Sequence, residues 1–170
     1  MEFINVSLKT FHKGIIHSSS SCENDSFNAE NILSDSGHWT TKKRNAAIKE
    51  FAVIDFQKSV PVDYIRLSAS SGGTSTFPNG FRLEASHDAD SWTILYSETN
   101  TSLEENVHEI HLSLTLLRFL KILIFDPAVL DSQFFSEIGK IDIGISGVEE
   151  ITASSSNNVN TPEKMLTDNR

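Results

Sequence analysis

Two short runs of alternating apolar and polar residues, separated by a polar turn, constrain the fold more than any other part of the sequence. The apolar positions of the first run are Phe81, Leu83 and Ala85, and those of the second are Trp92, Ile94 and Tyr96. Alternation with period 2 is typical of a strand that buries one face. The intervening residues 87–90, HDAD, favour a turn because Asp side chains can bond to nearby backbone N–H groups. The pattern predicts an antiparallel hairpin.

Similar apolar runs recur along the 170-residue chain, at residues 3–8, 13–18, 51–56, 60–67, 107–114, 119–125 and 138–145. No stretch shows a long apolar stripe of period 3.6, and only residues 29–33 are predicted to form a single helical turn. About eight strands joined by irregular loops predict an all-β sandwich. Trp39 and Trp92 fall at strand positions, so we assign both to its core. The loops at 70–79 and 126–136 are long enough to be binding loops.

The charge of the chain excludes some partners. The formal net charge is -9 and the pI is about 5.0, which argues against sequence-independent nucleic-acid binding, because such binding needs a basic face. It argues less strongly against docking on anionic lipid. The only basic cluster is residues 42–44, KKR, and a run this short is more typical of a solvated loop than of an anion site.

Several motifs resemble, in order and spacing, the discoidin or coagulation-factor (F5/8) type C family between about residues 5 and 147. They are the serine run at 18–20, AENIL-x-D at 29–35, Trp39, F-x-x-IDF at 51–56, V-x-x-I-x-L at 62–67, FP-x-x-F-x-LE-x-S-x-D-x-x-x-W at 77–92, RFLKI at 118–122 and SEI at 136–138. The resemblance implies a galactose-binding-like jelly-roll β-sandwich. The chain departs from the family in four places, the first of which is Ser36 in place of the glycine that usually follows the aspartate at position 35. Its one cysteine excludes the cysteine pair of many extracellular animal members, Gly37 replaces a threonine, and Ala89 replaces the glycine of the hairpin turn.

The resemblance also implies a structural calcium ion. Bacterial members that bind sugars hold calcium between the first loop and the last strand, and Asp35 and Glu137 stand at the matching positions. Carboxylates are ligands that calcium prefers, with loop carbonyls expected to complete the shell. In the alternative interpretation, Asp35 caps a turn and Glu137 bonds to neighbouring backbone. No organic cofactor is expected.

Ligand binding in this family uses loops at one end of the sandwich, here residues 23–28, 38–44, 70–79 and 126–136. A sugar site needs an aromatic face and planar hydrogen-bonding groups. The side chains of these types are Phe134, Phe77, His38, Arg44 and Asn79, with Phe134 at the position where family lectins often place the stacking aromatic. The alternative for each Phe is that it plugs the end of the core.

Nothing in the sequence predicts catalysis, because no nucleophile, phosphate-binding or zinc motif occurs. The leading hypothesis is a glycan-binding module, for galactose-type sugars, within a larger multidomain protein. The alternative is an intracellular protein-interaction domain of the same fold, and lipid-headgroup binding is a weaker third. The module would be extracellular or on the cell surface if it is bacterial and binds glycans, and cytoplasmic if Met1 is the native start.

The C-terminal segment echoes an earlier part of the chain. ITASSSNN at 151–158 and TPEKMLTD at 161–168 resemble IHSSSS at 16–21 and NAENILSD at 28–35. Chance similarity of serine-rich segments is the alternative. We interpret residues 1–147 as one domain and expect residues 148–170 to be the truncated start of a second tandem copy, extended or disordered.

Overall fold

A computed structural model of the protein describes residues 3–6, 9–147 and 150–153. These residues form strands and two short 3₁₀ helices, at Asp25–Phe27 and Ala29–Leu33. The strands are β1 (Phe3–Val6), β2 (Lys9–Phe11), β3 (Ile15–Ser19), β4 (Trp39–Thr40), β5 (Glu50–Ser68), β6 (Gly80–Ser86), β7 (Thr93–Glu98), β8 (Val107–Asp126), β9 (Ala128–Leu130), β10 (Gln133–Phe135), β11 (Glu137–Ile138), β12 (Lys140–Ser146) and β13 (Glu150–Ala153). The predicted all-β class is confirmed, and the predicted helical turn at 29–33 is a 3₁₀ helix. None of the helices in the described part of the chain is long and apolar enough to cross a membrane.

Residues 11–145 form one compact unit, in which two long strands run through both layers of the sandwich. In one layer, the first half of β5 pairs with the second half of β8. This pair is flanked by β3 on one side and by β6 and then β7 on the other. The remaining halves pair in the other layer, beside β12. The register shifts between Asp55 and Val60, and Gln57 has a positive φ of 66°. This irregularity lets each strand bend from one layer into the other.

One core lies between the layers. The inward-facing residues of β6, Phe81 and Leu83, are fully buried, as the alternation predicts. They join Ile54 and Ile122 of the first layer and Ile65 of the second in a single apolar cluster. The cluster also contains Trp39, so its predicted place in the core is confirmed.

The predicted place of Trp92 in the core is wrong. Trp92 is half-buried outside the core cluster, just before β7 begins. The Nζ atom of Lys121 lies 4.0 Å from the centroid of its ring. The pairing of β6 with β7 shifts register between Leu83 and Glu84, and such an irregularity re-aims the side chains that precede it in β7. Ile94, predicted to share the buried face with Trp92, is therefore also on the outer face and is 56% exposed, and a cation–π contact stabilises the indole there.

The structure differs in detail from two other predictions. The separate strands predicted at 51–56 and 60–67 are parts of one bent strand, as are those at 107–114 and 119–125. The predicted loop at 126–136 contains a small hairpin, β9–β10, in which Phe134 lies opposite Val129. Its tip residues Asp131 and Ser132 both have positive φ, which is the geometry of a tight two-residue turn.

The second unit consists of residues near the two ends of the chain. In it β1 pairs antiparallel with β13, with Phe3 opposite Ala153. The predicted second copy begins in this unit, but residues 148–149 and 154–170 lie outside the described residues. The second copy stays a prediction.

Candidate functional site

Four loops meet at one end of the 11–145 unit, because the bend returns both ends of β5 and of β8 to the same place. We call this the loop end, comprising residues 20–44, 69–79, 99–106 and 127–139. The N–H of Thr41 donates to the carbonyl of Ser136 at 3.0 Å, and the N–H of Glu137 donates to that of Thr76 at 2.7 Å. The predicted binding loops are therefore hydrogen-bonded to one another.

Gly139 permits the closest approach between these loops. Its N–H donates to the carbonyl of Ser68 at 2.8 Å. A Cβ atom at Gly139 would lie 2.2 Å from the carbonyl oxygen of Ala69. Only glycine fits without a backbone shift, so residue 139 fixes how β11 enters the loop end.

Arg44 and Phe134 are brought together by the backbone. Each donates its N–H to the carbonyl of the other, at 3.1 Å from Arg44 and 2.8 Å from Phe134. Residues bonded in this reciprocal way lie directly opposite each other, with side chains on the same face. Phe134 is half-buried and the Arg44 side chain is 31% exposed. The side chains of Phe134 and Arg44 therefore leave the backbone on the same face at the loop end.

A buried carboxylate holds Arg44 in place. The Nε atom of Arg44 lies 3.1 Å from Oε1 of Glu50, whose side chain is almost fully buried. Glu50 also accepts hydrogen bonds from the hydroxyls of Ser20 and Ser21. Among the described residues, Arg44 makes no other side-chain hydrogen bond, and a guanidinium has five N–H donors. The Nη groups are thus available to a ligand on a side chain whose position is already fixed.

The β9–β10 hairpin adds apolar surface beside this pair. Val129 and Leu130 are among the exposed large apolar residues. The Nζ atom of Lys43 lies 5.1 Å from the ring centroid of the buried Phe135. The predicted aromatic, Phe134, thus has the exposed Val129 opposite it in the hairpin, whereas Lys43 packs on the neighbouring Phe135.

The other predicted sugar contacts lie in different environments. Phe77 is only 4% exposed and packs edge-on against Phe81 with ring centroids 6.1 Å apart, which fits the alternative that it plugs the core. Asn79 is exposed, and its Nδ2 donates to the carbonyl of Pro127, next to the hairpin, at 3.2 Å. His38 is turned towards Glu137, with Nε2 3.1 Å from Oε2. Arg44, Phe134 and Asn79 therefore share the hairpin side of the loop end.

Both predicted calcium ligands are bonded to other side chains in the structure. Asp35 is 91% exposed and pairs with the ammonium of Lys140, whose hydrogen bond and charge hold the pKa of Asp35 below its usual value. Glu137 accepts hydrogen bonds from Thr40 and Thr76. No group of three or more His, Cys, Asp or Glu side chains placed to hold a metal occurs among the described residues. The ammonium of Lys140 already neutralises Asp35, and the hydroxyl groups of Thr40 and Thr76 already satisfy Glu137.

The hydrogen-bonding residues that build the loop end were not identified from the sequence. Glu50, Ser70, Thr40 and Thr76 are common residue types in no recognisable local motif, and their partners lie far away along the chain. One signal could have pointed to a buried hydrogen-bonding residue. Glu50 is a charged residue at the start of a largely apolar strand.

Comparison with known proteins identifies the family. Residues 16–130 match the family model for the F5/8 type C domain, so the chain belongs to this family, as its motifs predicted. No curated protein sequence matches the chain.

Solved structures share the fold. One is CBM32-3 from a family 31 glycoside hydrolase of Clostridium perfringens, with 13% identity, a TM-score of 0.67, and coverage of 78% of this chain and 90% of that one. Another is a putative chitobiase fragment from Bacteroides thetaiotaomicron, with 14% identity, a TM-score of 0.69, and coverage of 84% and 95%. A third, CpGH89CBM32-5 from C. perfringens in complex with GalNAc-β-1,3-galactose, has 12% identity, a TM-score of 0.61, and coverage of 77% and 93%. At these identities the likeness establishes the fold, a galactose-binding-like β-sandwich.

Proposed function

We propose that this chain is a non-catalytic glycan-binding module whose site lies on the hairpin side of the loop end. The observation that carries the proposal is the reciprocal backbone pairing of Arg44 with Phe134. This pairing supports the proposal because an aromatic face can pack against the C–H side of a sugar ring, and a guanidinium on the same side of the backbone pair offers planar N–H donors for hydroxyl groups. The structural relatives include modules crystallised with GalNAc-β-1,3-galactose and with chitotriose, which supports glycans as the ligand class.

The site is preorganised for such a ligand. Glu50 fixes the guanidinium and the hairpin fixes the ring, so binding orders few side chains and costs little conformational entropy. Asn79 supplies a further planar amide near the base of the hairpin. We do not include a calcium ion in the proposal, because Lys140 and His38 occupy the carboxylates expected to hold it.

The test is calorimetric titration with galactose, GalNAc-β-1,3-galactose and chitotriose. We expect Phe134→Ala to weaken binding of a recognised sugar at least about tenfold, which is about 1.4 kcal/mol. Phe11→Ala is the matched control, since Phe11 is also an exposed Phe but packs on Tyr64, away from the loop end. Equal affinities of the two variants would refute this site.

Absence of binding to any sugar on a broad glycan array would refute the glycan proposal itself. The protein-interaction alternative would then be the better one. Vesicles containing anionic lipid test the third hypothesis, and we expect no binding, because the net charge is negative.

A further inference from the structure

The Glu137 carboxylate joins its own segment to two other segments of the loop end, which makes three in all. It accepts hydrogen bonds from the hydroxyls of Thr40 at 3.0 Å, Thr76 at 2.6 Å and Ser70 at 3.4 Å. These donors belong to β4 and to the loop at 69–79. One side chain thus does what a bound cation does in many loops, which is to hold distant segments around a single charged centre.

His38 supplies a fourth donor to the same carboxylate. Its Nε2 atom lies 3.1 Å from Oε2 of Glu137, and because a carboxylate only accepts, Nε2 carries the hydrogen. The imidazole stacks on Phe27, with ring centroids 4.8 Å apart and an interplanar angle of 23°. This stacking fixes the ring, so the His38–Glu137 contact also connects the first 3₁₀ helix with the segment that carries Glu137.

Backbone carbonyls near His38 are also already bonded. The Nδ2 group of Asn31 donates to the carbonyl of Ser26 at 2.8 Å and to that of His38 at 2.9 Å. Lys140 pairs with Asp35 and lies 3.5 Å from Asp142. An ammonium at Asp35 repels a second cation, and the Asn31 amide satisfies two carbonyl oxygens of the kind that calcium prefers as ligands.

We propose that protein side chains centred on Glu137 replace a calcium ion at this position, so that the loop end is organised without any divalent cation. His38 acts as the N–H partner of Glu137, Asn31 satisfies the carbonyls, and Lys140 neutralises Asp35. The inference concerns folding of the loop end and does not depend on the proposed glycan site.

The first experiment measures the melting temperature of the protein in millimolar calcium and in EDTA. The concentration is high enough to fill even weak calcium sites. We expect identical melting temperatures. Terbium, a calcium mimic that nearby tryptophan sensitises, should give no luminescence, although Trp39 lies in the strand paired with Glu137 and Ile138. A rise in melting temperature with calcium, or terbium luminescence excited through tryptophan, would overturn the proposal.

The second experiment removes the charge of the carboxylate. Glu137→Gln loses charge-assisted hydrogen bonds and should lower the melting temperature by roughly 5–10 °C, in calcium and in EDTA alike. Glu30→Gln is the matched control, because Glu30 is exposed on the second 3₁₀ helix, and it should leave the melting temperature unchanged. Equal effects of the two substitutions would show that Glu137 does not tie the loops together.

Because neither measurement contains a sugar, these results are independent of the glycan titrations. A calcium-insensitive protein that binds no glycan would leave this inference standing and refute only the proposed function.

Discussion

One carboxylate at each end of the sandwich, Glu137 and Asp88, accepts several hydrogen bonds, but the donors to these two carboxylates come from different distances along the chain. At the loop end, Glu137 is bonded by Thr76, Ser70 and Thr40, which lie 61, 67 and 97 residues away. At the opposite end, which we call the turn end (residues 55–60, 86–92 and 113–118), Asp88 is bonded by the N–H groups of Asp90 and Ser91. The first arrangement exists only in the folded domain, whereas the second can form in an isolated turn. We therefore expect substitutions at the loop end to cost more stability.

The largest effect is expected at Gly139. Gly139→Ala would place Cβ 2.2 Å from the Ala69 carbonyl oxygen, and the backbone shift this forces should lower the free energy of unfolding by about 3 kcal/mol. Denaturant unfolding measures this difference. Gly72→Ala is the control, because its nearest contact would be 3.5 Å away. A loss of stability as small as that of the control would mean that the loops do not depend on this close approach.

A smaller loss is expected when one donor to Glu137 is removed. Thr76→Val keeps the volume of the buried side chain but deletes the 2.6 Å hydrogen bond, which should cost about 1–3 kcal/mol. Ser91→Ala provides the comparison at the turn end, where the Ser91 backbone N–H makes the bond and its side chain is dispensable. If both substitutions had the same effect on chemical denaturation, the contrast between the two ends would be wrong.

Lowering the pH should destabilise the folded protein at the turn end, because it protonates Asp55. The hydrogen bond from Arg118 is the main cause that holds the pKa of Asp55 below its usual value of 3.8 in the folded protein. Because the folded pKa is lower than the unfolded one, the unfolded state binds protons first as the pH falls. The stabilisation is complete above the unfolded pKa and is lost as the pH falls through the folded pKa.

Melting curves recorded from neutral pH to pH 3 test this dependence. We expect the melting temperature of Asp55→Asn to be lower than that of the wild type at neutral pH and to fall less steeply in acid. An unchanged slope would show that the Asp55–Arg118 pair contributes nothing to acid sensitivity.

The smallest expected change is an increase in stability, at Ala89. Ala89 has a φ of 63° in the hairpin turn, a conformation that costs an L residue about 1–2 kcal/mol and glycine almost nothing. Glycine loses more backbone entropy on folding, by about 0.5–1 kcal/mol, so Ala89→Gly should raise stability by about 0.5 kcal/mol. A decrease in the unfolding midpoint would contradict this account of the turn.

Features that depend on residues close together in the chain could be predicted from the sequence, whereas features that depend on distant residues could not. The hairpin at 80–98 and the helical turn at 29–33 depend on neighbouring residues, and the sequence predicted both. The sequence also predicted that Phe134 and Arg44 belong to the binding loops, but not that their backbones pair. The calcium prediction relied on Asp35, Glu137 and loop carbonyls, and the groups that pair with the two carboxylates, Lys140 and His38, could not be recognised without the fold.

The sequence by itself determined the all-β class, the family and the loops in which the proposed site lies, because alternation, turn residues and motif spacing are local properties. The tertiary structure decided which aromatic side chains face solvent, since Phe77 and Phe134 have similar loop contexts yet only Phe134 is partly exposed. It also decided that two strands bend through both layers and that Glu137 joins three segments. These features depend on contacts between residues far apart in the chain, and such contacts form only when the two layers pack together.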